Sequence, residues 1–136
     1  MADVDVVLHW TGEGLRFRGG RAEGPQVTLD GDGNQGPSPM TTLLLGLAGC
    51  MSADIVDIAQ KSRAEFATLE AHLEGDRATE PPRRYTAVRM RFVAGGVSQA
   101  DESKLRRALE LSTATYCSVL HSLRPDVKVT TELELT

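Results

Sequence analysis

One long apolar segment dominates this sequence: residues 38–61 read SPMTTLLLGLAGCMSADIVDIAQK. Ser38 can serve as a helix N-cap, because its hydroxyl can accept a hydrogen bond from an early helical amide, and Pro39 suits the first helical position, where no N–H is needed. From Leu43 to Ala48 the helix is apolar all round, and such a helix must be covered on every side. We therefore predict a long central helix over residues 38–61, buried in the middle of the protein or of an oligomer.

Strands are predicted on both sides of this helix by the alternation of apolar and polar residues. Before it, three short apolar runs separated by glycine-containing turns predict an antiparallel meander over residues 3–30. The loop that follows, DGDGNQGP at residues 30–37, is so polar and glycine-rich that we do not expect its own side chains to order it. After the helix, a β-hairpin is predicted over residues 64–95 and a final strand over residues 126–135.

A second helix is predicted over residues 99–123, between the hairpin and the last strand. Its apolar residues recur at three-to-four spacing, so it either runs to Leu123 or breaks near Ser112 and restarts. The resulting order, β-β-β-α-β-β-α-β, is typical of an α+β fold in which antiparallel sheets pack on helices. A length of 136 residues corresponds to one domain, which we expect to cover residues 1–136.

Composition argues against several classes of function. The chain has 15 Lys and Arg against 19 Asp and Glu, and its net charge of −4 is the wrong sign for nucleic-acid binding through phosphates. Aromatic residues, at 4%, are too few for base stacking. The most apolar run, residues 40–53, is too short to cross a bilayer, so we expect no membrane partner. Because residues 1–10 lack the features of a secretory signal, we predict a cytoplasmic protein.

The two cysteines, Cys50 and Cys117, need an explanation of their own. A structural disulfide is not favoured in the cytoplasm, so each is a small core residue, a metal ligand or a reactive thiol. The residues alone leave these alternatives open. Free cysteine is often buried, whereas His121, four residues after Cys117, could complete a Cys₂His metal site. Asp54 lies four residues after Cys50 on the same helical face, where its charge would disfavour a thiolate unless a cation opposed it.

Small residues surround Cys50 on the central helix. Gly46 and Gly49 each cost about 1 kcal/mol relative to alanine in a helix interior, so their presence requires a compensating gain. Thr42, Gly46 and Cys50 follow one another at four-residue spacing and share one face. This face would let another helix or strand approach closely, with the thiol at the contact.

Four segments carry a resemblance to a known family: GPSPM at residues 36–40, AGC at residues 48–50, DIV at residues 54–56 and YCSV at residues 116–119. They are similar to motifs of the OsmC/Ohr family of osmotically inducible and organic-hydroperoxide-resistance proteins. The resemblance covers essentially the whole chain, and its GPSPM form is similar to a less characterised OsmC-like branch.

The resemblance implies a fold and a chemistry. The implied fold is an intertwined homodimer in which two long central helices are buried between sheets from both subunits. The implied chemistry is peroxide reduction: Cys50 attacks the O–O bond of an organic hydroperoxide as a thiolate and becomes a sulfenic acid, which Cys117 resolves as a disulfide. An external dithiol then regenerates the pair. We expect no bound cofactor and no metal.

The family's peroxidases also use an arginine from the N-terminal strands and a glutamate early in the central helix. The resemblance places the arginine at Arg18 or Arg21; Arg21 follows Gly19-Gly20, as in the family's Gly-Gly-Arg. The glutamate position, ten residues before Cys50, holds Met40 instead. This departure weakens the expectation of peroxidase activity, since methionine carries no charge with which to hold the arginine.

Three functions remain open on this sequence. The first is a thiol-dependent peroxidase for organic hydroperoxides that works through Cys50 and Cys117. The second is a non-peroxidase protein of the same fold, with a redox-active thiol pair for another substrate or with an apolar ligand bound at the dimer interface. The third is a structural domain in which both cysteines are core residues.

Overall fold

The computed structural model describes residues 2–136 and has the α+β architecture that we predicted. A 3₁₀ turn at Gln99–Asp101 and a π-helical segment at Ser112–Tyr116 flank the second helix. The strands and α-helices, in chain order, are β1 Val7–Trp10, β2 Arg16–Gly20, β3 Val27–Asp30, α1 Pro39–Lys61, β4 Thr68–Arg77, β5 Tyr85–Gly95, α2 Glu102–Leu111, α3 Ser118–Ser122 and β6 Lys128–Leu135.

The described residues group into two compact units, one ending at Leu45 and the other beginning at Gly46. Helix α1 starts in the first unit and ends in the second. In the first unit β1, β2 and β3 form the expected antiparallel meander, although β1 begins only at Val7. Each of the two sheets in residues 2–136 is built from three strands, β1-β2-β3 and β4-β5-β6.

The loop after β3 is ordered by a side chain of its own, and our expectation to the contrary is wrong. One carboxylate oxygen of the buried Asp30 accepts a hydrogen bond from the Asp32 amide at 2.9 Å, and the other accepts one from the Gln35 amide at 3.0 Å. The amides of Gln35 and then Asp32 lower the pKa of Asp30, because they stabilise the carboxylate. A single acidic residue therefore organises this glycine-rich loop.

The core of the second unit takes apolar side chains from helices and strands. Helix α1 contributes a stripe of residues four apart, β5 contributes every second residue, and α2 contributes residues three apart, as expected for one face of a helix or strand. The fully or nearly fully buried members are Leu47, Met51, Ile55 and Ala59 of α1, Val88, Met90, Phe92 and Ala94 of β5, and Leu105 and Ala108 of α2.

The second sheet is mixed, which corrects the expectation of antiparallel sheets. Strand β4 pairs with β5 in the predicted antiparallel hairpin, but β6 pairs parallel to β5, with Val88 opposite Val129 and Phe92 opposite Leu133. Parallel neighbours need a long crossover connection. The helical region between β5 and β6 supplies that crossover, so the chain returns to the start of β5 before forming β6.

The predicted helix over residues 99–123 is interrupted. Helix α2 ends at Leu111, the π-helical segment Ser112–Tyr116 follows, and Cys117 adopts an extended conformation, with φ −70° and ψ 102°, before α3 begins at Ser118. Of the two courses left open by the sequence, the structure therefore adopts the break near Ser112.

The two ends of α1 are closed by different hydrogen-bonding patterns. The predicted N-cap is confirmed: the Thr41 amide donates to Ser38 Oγ at 3.2 Å. At the other end the Ala64 amide donates to the Ala59 carbonyl at 2.9 Å, with Arg63 in the left-handed region at φ 59°. This is the arrangement of a Schellman motif, in which glycine is the usual residue at the Arg63 position.

Within one chain, α1 is covered on only part of its surface. Leu43 and Leu45 are 39% and 56% exposed, and at Gly46 and Gly49 nothing outside the adjacent residues and the helix backbone lies within 4 Å of where a Cβ would be. By length and composition alone, the 23-residue α1 could also cross a membrane, a criterion that core helices satisfy as well. The buried stripe of α1 favours a core helix.

Candidate active site

The structure brings Cys50 and Cys117 together. Cys50 lies in the middle of α1 and is half-buried, whereas Cys117 has no exposed surface and forms the N-cap of α3. Both cysteines are free, and their thiols are hydrogen-bonded to each other. Two thiols in contact, one of them accessible, form a pair that can be oxidised to a disulfide.

Burial dominates the chemistry of Cys117. It raises the pKa of the Cys117 thiol from 9.0 to about 11, because a thiolate is poorly solvated inside the protein. The Leu120 amide, which donates to the Cys117 sulfur at 3.3 Å, acts in the opposite direction, and the hydrogen bond to Cys50 adds to the rise in pKa. Cys117 is therefore a protonated thiol at neutral pH.

A polar pair that the sequence did not reveal lies beside the cysteines. Ser112 Oγ donates to Asp54 Oδ2 at 2.8 Å, and Ser112 has no exposed surface. The Ser112 carbonyl in turn accepts from the Cys117 amide at 2.9 Å. The four-residue spacing of Asp54 from Cys50 was the available signal, but nothing in the sequence pointed to Ser112 as its partner.

His121 takes part in backbone contacts near Cys117. Its amide donates to the Cys117 carbonyl at 3.1 Å, and its Nε2 lies 3.1 Å from the Thr113 carbonyl oxygen. Within residues 2–136, His, Cys, Asp and Glu side chains do not form any group of three that could hold a metal ion. The alternative Cys₂His site therefore has no support in this geometry.

The two candidate arginines lie in the first unit. Arg18 is exposed on β2, and its Nη1 donates to Thr28 Oγ1 at 3.0 Å. Arg21 is exposed just after β2, where its carbonyl accepts from the Gly24 amide at 3.0 Å and from Gln26 Nε2 at 3.2 Å. The role of either arginine toward Cys50 stays a prediction.

A groove of about 510 Å³ lies one turn further along α1 from Cys50. Its acidic and basic members are partly paired, since Lys61 Nζ lies 2.9 Å from Asp57 Oδ2. Its apolar walls come from both helical regions that carry the cysteines. The lining residues are Asp54, Asp57, Ile58, Lys61, Leu111 and Tyr116.

The chain and its fold match a known family. The family model described as OsmC-like protein matches residues 31–132, most of the chain, including both cysteines. The chain therefore belongs to the OsmC-like family, and the resemblance drawn from its motifs is confirmed.

Individual relatives agree with this assignment. Protein YhfA of Escherichia coli K12 is 37% identical over 124 residues, which cover 90% of this chain and 92% of the relative. Among solved structures, a hypothetical protein from Aquifex aeolicus VF5 matches with a TM-score of 0.85 at 29% identity, over 100% of this chain and 98% of that one. An OsmC-like protein from Mycoplasma pneumoniae shares the fold, with a TM-score of 0.82 at 17% identity over 99% and 98% of the two chains.

Proposed function

We propose that this protein is a thiol-dependent peroxidase that reduces organic hydroperoxides through Cys50 and Cys117. The observation that carries the proposal is the contact between a half-buried thiol on α1 and a fully buried thiol at the start of α3. Membership of the OsmC-like family supports it. A protein of this fold from Legionella pneumophila, 17% identical with a TM-score of 0.66, bears the name organic hydroperoxide resistance protein.

Burial assigns a different role to each cysteine. Cys50 is the nucleophile, because a peroxide can reach it, and Cys117 is the resolving residue, because its thiol is enclosed and protonated at neutral pH. The Cys50 thiolate attacks the distal peroxide oxygen, the O–O bond breaks, and the alkoxide leaves as the alcohol after taking up a proton. Cys50 is then a sulfenic acid, and the peroxide has accepted two electrons.

Resolution and recycling complete the cycle. The Cys117 sulfur attacks the sulfenic sulfur of Cys50, the disulfide forms, and the hydroxyl leaves as water with the Cys117 proton. An external dithiol then reduces the disulfide by thiol exchange and becomes a disulfide itself, so both electrons come from that dithiol. Such a cycle needs a reducing compartment, which is consistent with the predicted cytoplasmic location.

The active form that we propose is a homodimer. The exposed Leu43 and Leu45 and the uncovered Gly46 and Gly49 leave part of the apolar surface of α1 without cover. A second copy of the same helix would cover this surface and satisfy the requirement that an apolar helix be buried on every side. The resemblance implies the same assembly.

The decisive experiment measures the consumption of cumene hydroperoxide with dihydrolipoamide as the dithiol. We expect Cys50→Ser to abolish turnover and Cys117→Ser to complete one turnover and stop at the sulfenic acid. Ser118→Ala, next to Cys117 but outside the thiol pair, is the matched control and should retain full activity. Hydrogen peroxide should be the poorer substrate, because it has no organic group to bury. Wild-type consumption no faster than the uncatalysed thiol reaction would refute the proposal.

Met40 favours the second candidate, a redox-active protein with another thiol substrate. Methionine cannot hold an arginine by charge, so the support for a Cys50 thiolate is weaker than with a glutamate. The peroxidase proposal therefore carries a quantitative expectation: Met40→Glu should raise the peroxidase rate. If the disulfide forms readily with oxidised dithiols but neither wild type nor Met40→Glu consumes peroxide, the second candidate is correct.

A further inference from the structure

We infer that the hydrogen bond between Asp54 and Ser112 is a positioning device that sets the encounter of Cys50 with Cys117. The inference rests on the proposed function, because it assumes that these two cysteines form a disulfide. Neither Asp54 nor Ser112 reacts; both act through the placement of the cysteines.

Two consecutive hydrogen bonds connect Asp54, one turn from Cys50 on α1, with the backbone of Cys117. Asp54 follows Cys50 by one helical turn on the same face of α1. Ser112 Oγ donates to Asp54 Oδ2 at 2.8 Å, and the Ser112 carbonyl accepts from the Cys117 amide at 2.9 Å. The position of Cys117 relative to α1 is thus tied to the position of one hydroxyl group.

The local backbone makes such a tie necessary. The bond from the Cys117 amide to the Ser112 carbonyl spans five residues, as in a π-helix, and Cys117 itself is extended. Regular helical bonding therefore does not fix Cys117 relative to α1, and π-helical insertions are frequent at functional sites. Contacts from outside the segment are therefore needed, and the hydrogen bond from Ser112 to Asp54 is one of them, beside the contact between the two thiols.

The free-energy cost of burying the polar Asp54–Ser112 pair also indicates a specific role. A hydroxyl with no exposed surface must be hydrogen-bonded, and the partner carboxylate gives up part of its solvation. Apolar residues would fill this space without such a requirement. Because the buried Ser112 hydroxyl needs a partner and Asp54 supplies it, the pair favours the register between α1 and the Cys117 segment in which this hydrogen bond forms.

The test measures the equilibrium between the reduced and disulfide forms in dithiothreitol redox buffers, with no peroxide present. Protein disulfide and reduced dithiothreitol exchange with protein dithiol and oxidised dithiothreitol, so the equilibrium constant reports how readily the two protein thiols form a disulfide relative to those of dithiothreitol. We expect Ser112→Ala and Asp54→Ala to lower the equilibrium constant for disulfide formation by about tenfold, which is about 30 mV for this two-electron couple.

Matched variants separate positioning from general stability. Asp54→Asn keeps an acceptor oxygen for Ser112 and should stay within about twofold of wild type. Thr113→Val removes the 2.8 Å hydrogen bond from Thr113 Oγ1 to the Leu109 carbonyl, which lies inside the same helical region, and should also leave the constant unchanged. The double variant Ser112→Ala/Asp54→Ala should be no worse than either single variant, because both remove one contact.

Unchanged equilibrium constants in Ser112→Ala and Asp54→Ala, with a normal disulfide in wild type, would overturn this inference and leave the peroxidase proposal intact. An equal decrease of the equilibrium constant in Asp54→Ala and Thr113→Val would also overturn it, because the decrease would then come from a general loss of folding stability. If Ser112→Ala does not fold, the comparison of Asp54→Ala with Asp54→Asn decides. If wild type forms no disulfide between Cys50 and Cys117, the proposed function and this inference both fail.

Discussion

Cys117 shows how strongly one enclosed side chain depends on its surroundings. Its sequence context, YCSV, identifies a family motif but says nothing of its ionisation. In the fold, burial raises its pKa to about 11, and the hydrogen bond to Cys50 contributes in the same direction. A resolving cysteine of this kind does not compete with Cys50 for peroxide, because its thiolate is scarce at neutral pH.

This raised pKa predicts a loss of stability of the reduced protein in alkali. The unfolded thiol titrates near 9.0 and the folded one near 11, so the folded state holds its proton more tightly. The resulting stabilisation is complete below pH 9 and is lost as the pH rises through 11. Urea unfolding between these values should show a steeper decline for wild type than for Cys117→Ala. Parallel curves would contradict the prediction.

Single helix ends carry measurable stability. Ser38 caps α1 through the Thr41 amide, and its own carbonyl accepts from the Thr42 amide at 2.8 Å. We expect Ser38→Ala to lower the free energy of unfolding by about 1 kcal/mol, while Ser38→Asn, which can still cap, should lose much less. Urea unfolding at one fixed protein concentration measures both free energies. An equal decrease in the two variants would show that the decrease does not come from the lost cap.

The other end of α1 holds a correctable strain. Arg63 has a φ of 59°, where a Cβ is unfavourable and glycine is not. Arg63→Gly should therefore raise the free energy of unfolding by roughly 0.5–1 kcal/mol, the relief exceeding the extra entropy of glycine in the unfolded chain. Arg63→Ala is the control, since it removes the side chain but keeps the strain. A gain in Arg63→Ala as large as in Arg63→Gly would assign the effect to the arginine side chain.

At the scale of the whole molecule, helix α1 matters most for the proposed homodimer. Its exposed apolar surface predicts a homodimer at micromolar concentration by sedimentation velocity. Leu45→Lys should weaken the dimer by about 3 kcal/mol or more, because each subunit would lose a buried leucine. Thr130→Lys, at an exposed position of β6, is the matched control and should leave the dimer intact. A wild-type protein that sediments as a monomer would refute the prediction.

Local signals in the sequence were enough for several features of this protein. The cap at Ser38, the apolar run of α1, the alternation in β4 and β5, and the motifs around Cys50 and Cys117 led to the α+β class and to the family. These features depend on residues close together in the chain, whose conformational preferences and periodicity can be recognised without the fold. The family motifs likewise lie in short segments.

Other features follow from contacts between distant residues, which periodicity does not encode. The parallel pairing of β6 with β5 depends on where the crossover returns the chain, and an alternating strand looks the same in either direction. The partner of Asp54 is Ser112, 58 residues away, and the break that leaves Cys117 extended lies in a helical pattern that also allowed a continuous helix. The fold alone brought the two thiols into contact and enclosed Cys117, because burial and long-range hydrogen bonds exist only after the elements have packed.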